Sequence, residues 1–173
     1  MGNGYSTALG ASRVLLNLFR VLNLIAGALL VICFVASFLL EPAFRDFFAK
    51  QPARIDPRLL IPVLRVWMLL TVPVIVAVDL SLRRLLEMVA TVRAGDPFVA
   101  RNAARLRTIA WCTLWLELYG LLCGLMAAIM NAAGSNISWS LSLTGWLAVA
   151  LMFVLARVFE EGTRLRDDLE AMV

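Results

Sequence analysis

Long apolar runs and short polar stretches alternate along the chain, and four of the runs are long enough to cross a bilayer. About 20 mostly apolar residues in a helix span roughly 30 Å of hydrocarbon. The runs are VLNLIAGALLVICFVASFLL (21–40), IPVLRVWMLLTVPVIVAVDLSL (61–82), TIAWCTLWLELYGLLCGLMAAIM (108–130) and SLSLTGWLAVALMFVLARVF (140–159). The pattern predicts an all-α polytopic membrane protein with one membrane domain over residues 1–173. Its four transmembrane helices would form a four-helix bundle of two hairpins. Residues 41–60 form an outer loop in which Phe44, Phe47 and Phe48 recur at helical spacing. That spacing predicts a short helix on the membrane surface or a cap on the bundle. Pro52 and Pro57 interrupt the chain before the second run.

Two amphipathic stretches extend the last two spans. Asp96 and Pro97 read as a helix start: the carboxylate accepts from free amides, and Pro at the first helical position has no amide to satisfy. No Gly or Pro follows before Gly120, so one helix is predicted from Pro97 into the third span. Phe98, Val99, Ala103, Leu106 and Ile109 share its apolar face, flanked by Arg101 and Arg105 on one side and Arg107 on the other. Asn102 falls inside that face and needs a hydrogen-bond partner. The C-terminal stretch has an apolar stripe of Val158, Leu165, Leu169 and Met172. Beside it runs a polar edge of Arg157, Glu161, Arg164 and Asp168. Extensions 96–107 and 160–171 are expected to pack together, with Arg101 and Arg105 near Glu160, Glu161 or Asp168.

Composition supports the lipid assignment. Hydrophobic residues make up 62% and charged ones 16%, against about half and about a quarter in soluble domains. Histidine is absent, which removes the commonest general base and metal ligand. Cys33, Cys112 and Cys123 all lie in apolar runs without metal or disulfide spacing and read as small apolar fillers. No nucleophile–base pair or phosphate loop is visible. The expectation is a non-enzyme without metal or cofactor.

The net charge of +4 gathers beside the spans. The connection between the second and third spans carries Arg83, Arg84, Arg93, Arg101, Arg105 and Arg107 against Glu87 and Asp96. Positive loops stay inside, so this connection and both termini are expected in the cytoplasm. Direct nucleic-acid binding is not expected, because the basic residues hug the membrane and no helix-turn-helix pattern is present. The first run exceeds a signal-peptide core, and the MGNGYS start reads as a chance match to an acylation pattern.

Ionisable groups inside spans are expensive and point to pairing or function. Glu117 is expected to hydrogen-bond in neutral form across a tight helix pair, or else to sense a proton or ligand. Gly120 and Gly124 form a small-residue motif that lets another helix approach. Asp79 has Arg83 one turn on and could instead reach Arg20, Asn23 or Arg157 on other helices. Pro73 is expected to kink the second span, and the tryptophans to act in part as interface anchors. FRVLNLIAG against LRTIAWCTL, and RRLLEMVATVR against ARVFEEGTRLR, hint at a two-hairpin repeat.

RAGDPFVARNAARLRTIAW and LTGWLAVALMFVLARVFEEGTRLRDDLE resemble the two signature blocks of a bacterial membrane-protein family, domain of unknown function twenty-nine seventy-five. The first block falls here on Gly95, Asp96, Pro97, Phe98, Asn102, Arg105, Leu106 and Arg107, the second on Phe153 through Glu170. The resemblance implies no activity. It does imply a neighbouring small helix-turn-helix regulator of the Cro/CI type. The expected role is a membrane partner or sensor that holds this regulator through Asp96, Phe98, Asn102, Arg105, Arg107, Glu160, Glu161, Arg164 and Asp168. The alternative is a small transporter or channel component, oligomeric, working through intramembrane Glu117 and Asp79.

Overall fold

A computed structural model of the chain describes residues 2–49, 57–95, 99–132 and 136–170; the side chains of residues 2–9, 48, 49, 57–59 and 170 are outside that description. The described residues form five helices: α1 (Gly2–Leu39), α2 (Glu41–Ala49), α3 (Pro57–Arg93), α4 (Ala100–Ala132) and α5 (Leu143–Glu170). Stretches Gly10–Leu39, Leu60–Arg93, Ala100–Ala132 and Leu143–Leu169 are long and apolar enough to cross a membrane. The chain is a membrane protein. The 37 residues of α3 reach about 55 Å at roughly 1.5 Å per residue, well beyond the hydrocarbon thickness. The helices therefore carry polar ends that lipid tails do not cover.

Each long helix runs antiparallel to the next, as cross-helix pairs show. Arg20 meets Asp79 and Ser37 meets Arg65 between α1 and α3. Asn102 meets Thr91 and Tyr119 meets Thr71 between α3 and α4. Arg107 meets Glu160 and Trp111 meets Phe153 between α4 and α5. Two hairpins, α1/α3 and α4/α5, carry the largest interfaces, and α3 against α4 joins them. Among the described residues α1 touches neither α4 nor α5, and α3 does not touch α5. The expected bundle is thus a row in chain order and not a closed ring. Large apolar side chains such as Val14, Ile32, Leu125 and Val154 remain exposed on its faces, where lipid would cover them.

The α1–α3 hairpin zips along one seam. The less exposed positions on α1 include Leu16, Arg20, Asn23, Gly27, Leu30, Phe34 and Ser37. Their alternating steps of four and three match left-handed helix packing. A side-chain carbon at Gly27 would stand 3.1 Å from Ile75 Cγ2, so the missing side chain sets the close approach. Asn23 Nδ2 donates to the Ile75 carbonyl at 3.0 Å.

Three local signals fix the helix ends. Gly95, at φ +85°, closes α3 in the left-handed region that glycine adopts without strain. Its N–H donates to the Val92 carbonyl at 3.1 Å. Ser142 caps α5, accepting from the Gly145 N–H through its hydroxyl at 3.1 Å. Asn131 and Ile137 exchange two hydrogen bonds, of 2.8 and 2.7 Å, that hold the α4–α5 connection. The helix of α3 continues through both Pro62 and Pro73. Helix α2 follows α1 where a short helix was expected, with Phe47 59% exposed.

Candidate functional site

Polar chemistry concentrates at the end of the row that holds the end of α3, the start of α4 and the end of α5, with Arg20 of α1 beside it; this is the basic end. The innermost pair there is Asp79, which is buried and accepts from Arg20 Nε at 3.0 Å while also pairing with Arg83. The cross-helix and the local partner are both used. Arg157, also considered for Asp79, turns outward to Glu160 at 3.3 Å.

The next cluster ties α3 to α4. Asn102 is wholly buried and sits in the apolar face, as the sequence pattern requires. Its Nδ2 donates to Thr91 Oγ1 at 2.8 Å, and its Oδ1 accepts from an Arg105 guanidinium nitrogen at 2.9 Å. Arg105 Nε also donates to Glu87 at 2.8 Å, and Arg84 shares that carboxylate at 3.1 Å. Arg101 was expected at the acidic tail and instead lines the α3 side of α4; Arg105 was expected at the tail too. It faces α3 instead, because it lies on the α3 flank of α4 two residues from Arg107, about 200° around a helix.

Arg107 is the residue that reaches the tail, donating to Glu160 at 3.3 Å. Between these helix ends lies an open cleft of about 450 Å³ floored by Ala100, Ala103 and Ala104. Arg107, Glu160, Thr163, Arg164, Asp167 and Asp168 line its walls. The alanines create the space, since larger side chains at those positions would bring the two walls into contact. Of the residues expected to bind a partner, Arg107, Glu160, Arg164 and Asp168 gather here. Glu161 is exposed outside the lining, and Asn102 and Arg105 face α3. Asp96 and Phe98, with the Asp96–Pro97 helix start, lie outside the described residues; α4 is helical from Ala100.

The intramembrane groups resolve differently from the pattern. Glu117 packs against α5: a side-chain carbon at Gly145 would stand 1.9 Å from its Oε1. Gly145, which the sequence reading passed over, is the small residue that admits the carboxyl. Gly124 is also filled, but by the indole of Trp139 from the connection and not by a helix. Gly120 faces open space, so the two glycines do not form one helix-packing surface.

A further charged group went unread. Arg65 lies inside the second apolar run, yet it is satisfied at the opposite end of the row. It donates to the Ser37 carbonyl, to Ser37 Oγ at 3.2 Å and to Glu41 at 3.1 Å, and stacks 3.9 Å from the Phe38 ring centroid. The hydrogen bond from Arg65 holds the Glu41 carboxyl below its ordinary value. The available signal was one basic residue just inside a span and one acid just beyond the previous span.

The model of the family described as Protein of unknown function (DUF2975) matches residues 47–173. No curated protein and no solved structure matches the chain.

Proposed function

We propose that this chain, which belongs to the DUF2975 family, is a non-enzymatic membrane partner that holds a small helix-turn-helix regulator at its basic end. The α4–α5 cleft supports this reading above all else. It is open, it stands at helix ends longer than the hydrocarbon requires, and its walls carry both charge signs over an alanine floor. A helix laid on small residues and oriented by flanking charges is a recurrent recognition mode. The basic end faces the cytoplasm of a bacterial inner membrane, by the arginine excess of the α3–α4 connection. A signal in the bilayer or beyond it would act by shifting α5 against α4.

The test is co-purification of the encoded neighbour regulator with the full-length protein from native membranes. Capture is expected with the wild-type protein. Loss is expected in the double charge reversal Arg164→Glu/Asp168→Arg, whose side chains are both exposed. Capture unaffected by the reversal, or no capture at all, refutes the proposal. The transporter alternative has weaker support, since Asp79 is committed to two arginines and Glu117 to the Gly145 contact.

A further inference from the structure

Helix α4 has a second cleft on its other flank, of about 230 Å³, between its first two turns and the end of α3. Arg84, Glu87, Arg101, Ala104, Arg105 and Thr108 line it. Three guanidinium groups thus face a single carboxylate, leaving an excess of two positive charges. Glu87 is already shared between Arg84 and Arg105. Arg101 is exposed and makes no ion pair or hydrogen bond among the described residues. Arg84 Nε is buried with no hydrogen-bond partner, which native structures rarely leave so. The first turn of α4 adds the positive end of its helix dipole.

From this geometry we infer that the α3–α4 cleft binds a phosphate group carried by an anionic phospholipid. Guanidinium forks match phosphate oxygens in pairs, and the Thr108 hydroxyl lies in the same lining. A cleft of about 230 Å³ has room for a phosphodiester. The position argues for lipid as its source. Arg101, Ala104 and Thr108 continue at helical spacing into Trp111 and Trp115, which are 60% and 50% exposed. A headgroup on the arginines would lay its acyl chains along those two rings, in the zone where tryptophan anchors membrane proteins. Basic pockets between spanning helices are a known means of headgroup recognition. The site adjoins the partner cleft at Ala104 but shares none of its charged lining, and it does not depend on that assignment.

Native mass spectrometry of the purified full-length protein tests the inference, with phosphatidylglycerol and phosphatidylcholine as the two lipid probes. The wild-type protein is expected to retain phosphatidylglycerol preferentially. Arg101→Gln is expected to weaken that binding about fivefold, the equivalent of about 1 kcal/mol for one surface arginine. Arg13→Gln removes the same charge from an exposed position at the same end, outside the cleft, and is expected to change little. Equal weakening by both variants, or equal retention of the two lipids, overturns the site. In a third arm, inorganic phosphate binding alone with the same dependence on Arg101 would keep the site and assign it to a free anion.

Discussion

Replacing Asn102 with Ala probes a fully buried polar side chain that ties α4 to α3 and holds Arg105 in place. The side chain has no exposure, so water cannot substitute for what is removed. The mutation deletes a neutral hydrogen bond to Thr91 at 2.8 Å and a charged one from Arg105 at 2.9 Å. A neutral bond contributes about 1 kcal/mol net and a charged one about 2 kcal/mol, for a loss of about 3 kcal/mol. Thr91 keeps the Met88 carbonyl and Arg105 keeps Glu87, so neither is stranded without a partner. The expected effect is about two orders of magnitude in the unfolding equilibrium. Titration of the detergent-solubilised protein with SDS, followed by tryptophan fluorescence, measures it. Thr91→Val should cost about 1 kcal/mol, and the double variant should fall short of the sum by a similar amount. A loss below about 0.5 kcal/mol for Asn102→Ala, or full additivity with Thr91→Val, would refute the reasoning.

The same titration separates the two glycines of α4. Gly124→Ala would bring a carbon within 2.4 Å of the Trp139 indole and should cost about 1–3 kcal/mol, whereas Gly120→Ala meets open space and should be neutral or stabilising by up to about 1 kcal/mol. Equal effects at the two positions would count against the Trp139 contact. At the opposite end, Arg65 lowers the Glu41 carboxyl below 4.5. A depressed folded value means the contribution is complete above the unfolded value and disappears as pH falls through the folded one. The stability gap between wild type and Glu41→Gln should therefore close on acidification below about pH 4.5, and a gap independent of pH would contradict the pairing.

The spans were legible because lipid imposes one simple demand, a helix apolar over about 20 residues. The buried state of Asn102 was legible too, since the surrounding apolar positions fix its face. Which neighbour each face meets was not. Arg105 and Arg107 differ by two positions, and nothing in α4 alone says that α3 lies beside one and α5 beside the other. The α4–α5 cleft was half legible for that reason: Arg107, Glu160, Arg164 and Asp168 were named and Thr163 and Asp167 were not, while the pairing with the tail was expected of Arg101 and Arg105 and is made by Arg107. Small residues misled in a similar way. The spacing of Gly120 and Gly124 suggested a helix contact, yet a tryptophan from a nearby connection fills one position. Gly145, with no repeating partner, carries the contact with Glu117.

The arrangement of helices in file has a consequence for how this protein can vary. Helix α1 leans on its neighbours along one side only, at positions spaced like the teeth of a zipper, and it precedes the residues 47–173 shared with the family. Its remaining circumference answers only to hydrophobicity. Substitution there is expected to cost little, provided Arg20, Asn23, Gly27 and Ser37 stay in register, so this flank could be refitted to a different bilayer without disturbing the polar end.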